Sequence, residues 1–135
     1  MIILGVISFL IVLAIDLITD YKRWLKQRIV NHKRGAWIRA VALIPSMIFL
    51  HLGNPFHNTK PIELVVLIIL MEFFVWWLIF DGCYNLLRGD NFWAIKGTTA
   101  ALDKFQQTIG PFWTWIIKLG FSISFLIVYI ITLVA

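Results

Sequence analysis

The stretch Leu64–Phe80 reads LVVLIILMEFFVWWLIF, with Glu72 in its middle. A central charge costs about 2.5–3.5 kcal/mol on insertion into a bilayer. The thirteen Leu, Ile, Val and Phe residues of the stretch each favour insertion by roughly 0.3–0.6 kcal/mol, about 4–8 kcal/mol together, so the segment inserts in spite of its acid. An unpaired carboxylate in lipid neutralises itself or draws in water, and a partner is therefore expected. Lys118, in PFWTWIIKLGF, supplies the amine. It stands seven residues after Pro111, as Glu72 stands eight before Phe80. On antiparallel neighbours both depths come to roughly 10–12 Å. The spacing predicts a membrane-embedded charge pair, Glu72 with Lys118, that fixes helix register or marks an ion path. The long stem of Lys118 leaves it free to snorkel toward the interface.

Other residues could form a second polar layer closer to the inner interface: Asp16, Arg39 and Asp81, with Arg39 able to pair with either acid. The competing reading places all three in water and headgroups. FDGCYNLLRGDNFWAIKG gathers Asp81, Cys83, Tyr84, Asn85, Arg88 and Asp90. A lipid-headgroup enzyme would use Asp81 and Asp90 there as base or metal ligands, whereas a capped helix end with interfacial aromatics needs no chemistry. His32, His51 and His57 lack the spacing of metal ligands, and the glycines build no phosphate loop. The lone Cys83 cannot close an internal disulfide. The sequence assigns no catalytic residue, no metal site and no cofactor.

The elements that must hold these residues are apolar helices. Of 135 residues, 61% are hydrophobic and 14% charged, outside the balance of a soluble domain. Crossing a bilayer takes about 20 apolar residues. Candidate spans fall at about 2–20, 36–52, 62–81 and 111–134, the first two the less certain in length. The expectation is all-α: one integral membrane domain over 1–135, a four-span transmembrane helical bundle. The first segment lacks the basic start and small-residue cleavage site of a signal peptide, so it reads as a retained helix. Pro45 should kink the second span, with Ser46 relieving the freed carbonyl. Pro61 suits the first turn of the third, and Gly110–Pro111 separates a short interfacial helix from the fourth. That short helix, in TTAALDKFQQTI, should turn Leu102, Phe105 and Ile109 to one face.

Seven of the twelve basic residues lie between the first two apolar stretches: Lys22, Arg23, Lys26, Arg28, Lys33, Arg34 and Arg39. Positive charge stays on the cytoplasmic side. The two long connections are thus expected inside an inner (cell) membrane, with both termini outside. The first helix is expected to run on as a basic amphipathic cytoplasmic extension, stopped at Gly35. Lys22, Arg23, Lys26, Arg28, Lys33 and Arg34 would lie on anionic headgroups at about 1 kcal/mol each, rather than on nucleic acid. All seven tryptophans fall toward the inner half in this threading. Gly120 and Ser124, like Gly5 and Ser8, offer small surfaces for close helix contact.

Three functions fit this reading. The first is a non-enzymatic membrane protein acting as an oligomeric assembly or accessory subunit, with itself or another membrane protein as partner. The second is a small oligomeric pore or ion-conducting protein lined in part by Glu72 and Lys118. The third is a membrane enzyme acting on lipid headgroups at the cytoplasmic leaflet.

Overall fold

The computed structural model describes residues 1–26, 32–95 and 101–134, without the side chains of 32–36 and 101–103. The described regular structure is entirely helical: α1 (Ile2–Leu25), α2 (His32–Leu52), α3 (Pro61–Leu87), α4 (Ala101–Ile109) and α5 (Pro111–Val134), with a 3₁₀ turn at Pro55–His57. Proline opens α3 and α5, where its missing N–H is not needed. Between α4 and α5, Gly110 takes φ 82°, a left-handed conformation that lets the chain turn without a Cβ clash.

Helices α1, α3 and α5 contain 18-residue stretches with mean hydropathies of 2.8, 2.5 and 2.2 and are long and apolar enough to cross a membrane. The apolar part of α2, Trp37–Leu52, is shorter, about 24 Å against a hydrocarbon core of about 30 Å.

The basic hairpin departs from expectation. Helix α1 ends at Leu25, capped at Lys26, and α2 begins at His32 with Gly35 inside its first turn. Gly35 is therefore not the stop of a long first helix. The physical reason is Arg39, which reaches back to acids on α1 and requires the chain to reverse before it. Arg28 lies outside the described residues, as do the side chains of Lys33 and Arg34. Lys22 and Lys26 are exposed.

Successive long helices run antiparallel. Helix α3 is central: it packs along α5 on one side and against α1 and α2 on the other, while α1 lies along α2. Among the described residues the backbones of α1 and α2 come less close to α5 than to α3, and α2 meets α5 through side chains of a shared core cluster. At the end near the 3₁₀ turn the Tyr129 hydroxyl braces the gap by donating to the Leu50 carbonyl at 2.9 Å. Asn54, buried in that turn, donates to Thr132 Oγ1 at 2.7 Å. Two apolar clusters form the core, one around Leu50, Leu64, Ile68 and Met71, the other around Phe9, Leu13 and Phe80. Outward faces are as apolar as the core: Ile3, Ile11, Val41, Ile62 and Ile131 are each more than half exposed. Such a surface suits lipid as its solvent.

Helix α4 packs against α5, but its inner face differs from the expected one. Phe105 is 46% exposed and Gln106 is buried. The reversal follows from hydrogen bonding, because the Gln106 side-chain amide donates to Asp81, while the Gln106 backbone carbonyl accepts from Thr114.

Candidate functional site

Antiparallel order gathers the C-terminal ends of α1 and α3 with the N-terminal ends of α2 and α5. The described ionisable residues concentrate there, and Trp37, Trp93 and Trp113 point outward at the same end, as an interfacial aromatic belt would. Helix α3 divides this end into two clusters.

On the α1–α2 side, Asp16 and Asp20 lie one turn apart on one face of α1. The Arg39 guanidinium meets both, Nε at 2.5 Å from Asp16 Oδ2 and Nη2 at 2.6 Å from Asp20 Oδ2. Arg23 adds a bond to Asp20 at 3.2 Å. The guanidinium also lies 5.0 Å from the Trp76 ring centre and 5.2 Å from that of Phe80. A flat five-donor fork that can stack on rings is suited to bridging two carboxylates. The sequence had singled out Asp16 and Arg39 but missed Asp20, although its spacing of four from Asp16 was the signal.

On the α5 side Lys118 is fully buried. Its ammonium donates to Asp81 and lies 4.8 Å from the Trp77 ring centre and 4.4 Å from that of Trp115. Asp81, 28% exposed, also accepts from Gln106 Nε2 at 3.2 Å. Asp81 therefore does not join Asp16 and Arg39 in one layer, since it projects from the other side of α3. The segment after α3 roofs this cluster. Asn85 Nδ2 donates to the carbonyls of Phe92 and Ala94 at 3.1 and 2.7 Å, and Trp115 Nε1 donates to the Trp93 carbonyl at 2.7 Å. Gly82 makes room for it, because a Cβ there would stand 2.0 Å from the Phe92 ring. Asp90 is drawn to Arg88 at 3.9 Å rather than converging with Asp81.

The expected Glu72–Lys118 pair does not form. Glu72 Oε1 lies 2.6 Å from Ser46 Oγ on α2, and its Oε2 is buried without a hydrogen-bond partner. Two geometric reasons separate the acid from the amine. Glu72 and Asp81 are nine residues apart, two and a half turns, and so occupy opposite faces of α3. The register also differs from the one expected: Phe74 stacks on Phe121 at 4.8 Å and Trp77 lies level with Lys118. That puts Lys118 about 7.5 Å nearer the charged end than Glu72.

Among the described residues no three His, Cys, Asp or Glu side chains converge as metal ligands. Compared with known families, characterised proteins and solved structures, the chain matches none.

Proposed function

We propose that this chain is a four-span inner-membrane protein that works without chemistry of its own, as an oligomeric assembly or the accessory subunit of a membrane complex. The observation that carries this reading is the internal use of charge. At the charged end Asp16 and Asp20 are taken by Arg39, and Asp81 by Lys118 and Gln106. Carboxylates spent on their own helices hold those helices together and are poorly placed to act as base or ligand, so the headgroup-enzyme reading has less support. Gly120 and Ser124 are exposed on the outer side of α5 and suit close approach by another helix. In this threading α2 crosses as a short, proline-bent span, and the two long connections lie on anionic cytoplasmic headgroups.

The test uses the full chain with Cys83 replaced by serine and single cysteines at Asn58 and Lys26. A membrane-impermeant maleimide should label position 58 from outside and position 26 only after permeabilisation. The opposite pattern, or equal access, overturns the threading. Native mass spectrometry in mild detergent, with crosslinking through a cysteine at Gly120, addresses assembly. A lone chain with no crosslinked companion overturns it.

A further inference from the structure

We infer that Glu72 is a proton-binding site inside the membrane, a neutral carboxylic acid at neutral pH that donates its hydrogen to Ser46. The inference needs α3 to lie in lipid but is independent of the assembly reading.

Burial without a counter-charge carries it, and the contacts of Ser46 agree. Ser46 Oγ lies 2.8 Å from the Leu43 carbonyl oxygen and 2.6 Å from Glu72 Oε1. A serine hydroxyl has one hydrogen to give, and a carbonyl oxygen can only accept. One hydroxyl hydrogen cannot fully serve both oxygens, and a protonated carboxyl gives each contact its own hydrogen, Ser46 donating to Leu43 and Glu72 to Ser46. Ser46 and Glu72 are both buried, so water does not take the place of either bond.

The surroundings agree from every element packed against α3. In the 3₁₀ turn His57 Nδ1 lies 2.7 Å from the Asn54 carbonyl oxygen. On α1 the acids Asp16 and Asp20 face Arg39. On α2 the charged Arg39 is held by those acids, and the buried Nδ1 of His51 has no hydrogen-bond partner. On α5 Lys118 projects to Asp81 on the opposite face of α3, and the Tyr129 hydroxyl donates to Leu50. On α3 itself Trp76, one turn from Glu72, lies under Arg39. Among the described residues no cation forms an ion pair with Glu72, whose Oε2 is buried without a hydrogen-bond partner. An isolated carboxylate buried in such a medium takes up a proton instead of keeping its charge. Neutral glutamic acid also removes the difficulty that its position first raised, because an uncharged carboxyl inserts with α3 far more readily than an anion.

One turn from Glu72, Ile68 lines a cavity of about 230 Å³ between α2 and α3, together with Met47, His51 and Val65. Its lining is apolar and does not include Glu72, so it offers the carboxyl no hydrogen-bond partner.

Infrared difference spectra of the full chain against Glu72→Gln, in phosphatidylcholine–phosphatidylglycerol nanodiscs at neutral pH, test the inference. Gln can donate to Ser46 as the acid does, so the variant should fold. The expected difference is a carboxylic-acid carbonyl band that moves down in frequency on transfer to D₂O and changes frequency in Ser46→Ala. Carboxylate bands in its place overturn the inference, and so does an acid band that Ser46→Ala leaves unchanged. A lipid-soluble carbodiimide gives a second reading. The acid hydrogen moves to one carbodiimide nitrogen, the carboxyl oxygen adds to the central carbon, and acyl shift from oxygen to nitrogen leaves a stable N-acylurea with nothing released. Adduct on Glu72 that declines as pH rises supports the neutral acid, whereas labelling that rises with pH contradicts it. Failure here beside correct maleimide topology would sink the proton site alone.

Discussion

Arg39 and Lys118 are both cations at the same end of the molecule, each beside two aromatic rings and facing acid, yet they are held by different means. Arg39 bridges two carboxylates on a neighbouring helix and keeps 17% of its side chain exposed. Lys118 is fully enclosed, and Asp81 shares its attention between it and an amide. The first site joins α1 to α2 through charge balance. The second joins α3 to α5 through enclosure, with Trp77, Trp115 and the roof over them doing as much as the acid. A helix pair in lipid gains no hydrophobic drive from its apolar contacts, so polar pairs and close packing must specify which helices meet.

The largest loss should come from Arg39→Ala. It leaves Asp16 and Asp20 on one face of α1 without their bridging cation, and breaking a buried pair from one side costs about 3–5 kcal/mol. A denaturation midpoint in mild detergent should fall sharply, and far-ultraviolet dichroism should show the α1–α2 hairpin loosening first. If the loss is under about 1 kcal/mol, the cluster behaves as an exposed surface pair and the contrast with Lys118 disappears.

Exchanging the cation types sharpens the contrast. In Lys118→Arg, a broad planar head must enter a fully enclosed slot between Trp77 and Trp115, and overpacking of this kind costs about 1–3 kcal/mol. Arg39→Lys keeps the charge but gives up the fork and the stacking on Trp76, for a loss of about 1–2 kcal/mol. The arginine variant at 118 should be the worse of the two. The reverse order would mean that the α5 site is governed by charge and the α1–α2 site by shape.

Apolar length and punctuation were enough to place most of the helices. Leu64–Phe80 and Phe112–Val134 are too apolar to be anything else, and Gly110–Pro111 could only be a break. Depth was also readable in part, since antiparallel helices put Glu72 and Lys118 within a turn or two of one another. Azimuth was not readable. Spans that are apolar all round carry no stripe to say which face meets which neighbour, and the nine-residue step from Glu72 to Asp81 turned the acid away from Lys118. Gln106 was missed for a related reason: α4 is amphipathic by composition, but the Asp81 carboxylate decided which face went in. The hydrophobic sides expected for Phe105 and its companions belong to lipid as readily as to protein.

A smaller effect, at Gly82, reverses sign with its neighbour. An alanine there should gain about 1 kcal/mol of helix propensity, but its Cβ would meet the Phe92 ring, which packs 5.5 Å from Trp115 over Lys118. Gly82→Ala alone should therefore destabilise the α3–α5 side by about 1 kcal/mol net and leave the Arg39 cluster untouched. With Phe92→Ala already present the obstruction is gone, and adding Gly82→Ala should raise the midpoint instead. Tryptophan fluorescence follows the same logic: displacing Phe92 exposes Trp115 and shifts emission to the red in the single variant. Should Gly82→Ala lower stability equally with and without Phe92, the roof is not part of the enclosure. The Lys118 site would then be held by Asp81 and its two flanking tryptophans, much as the Arg39 site is by two acids and two rings.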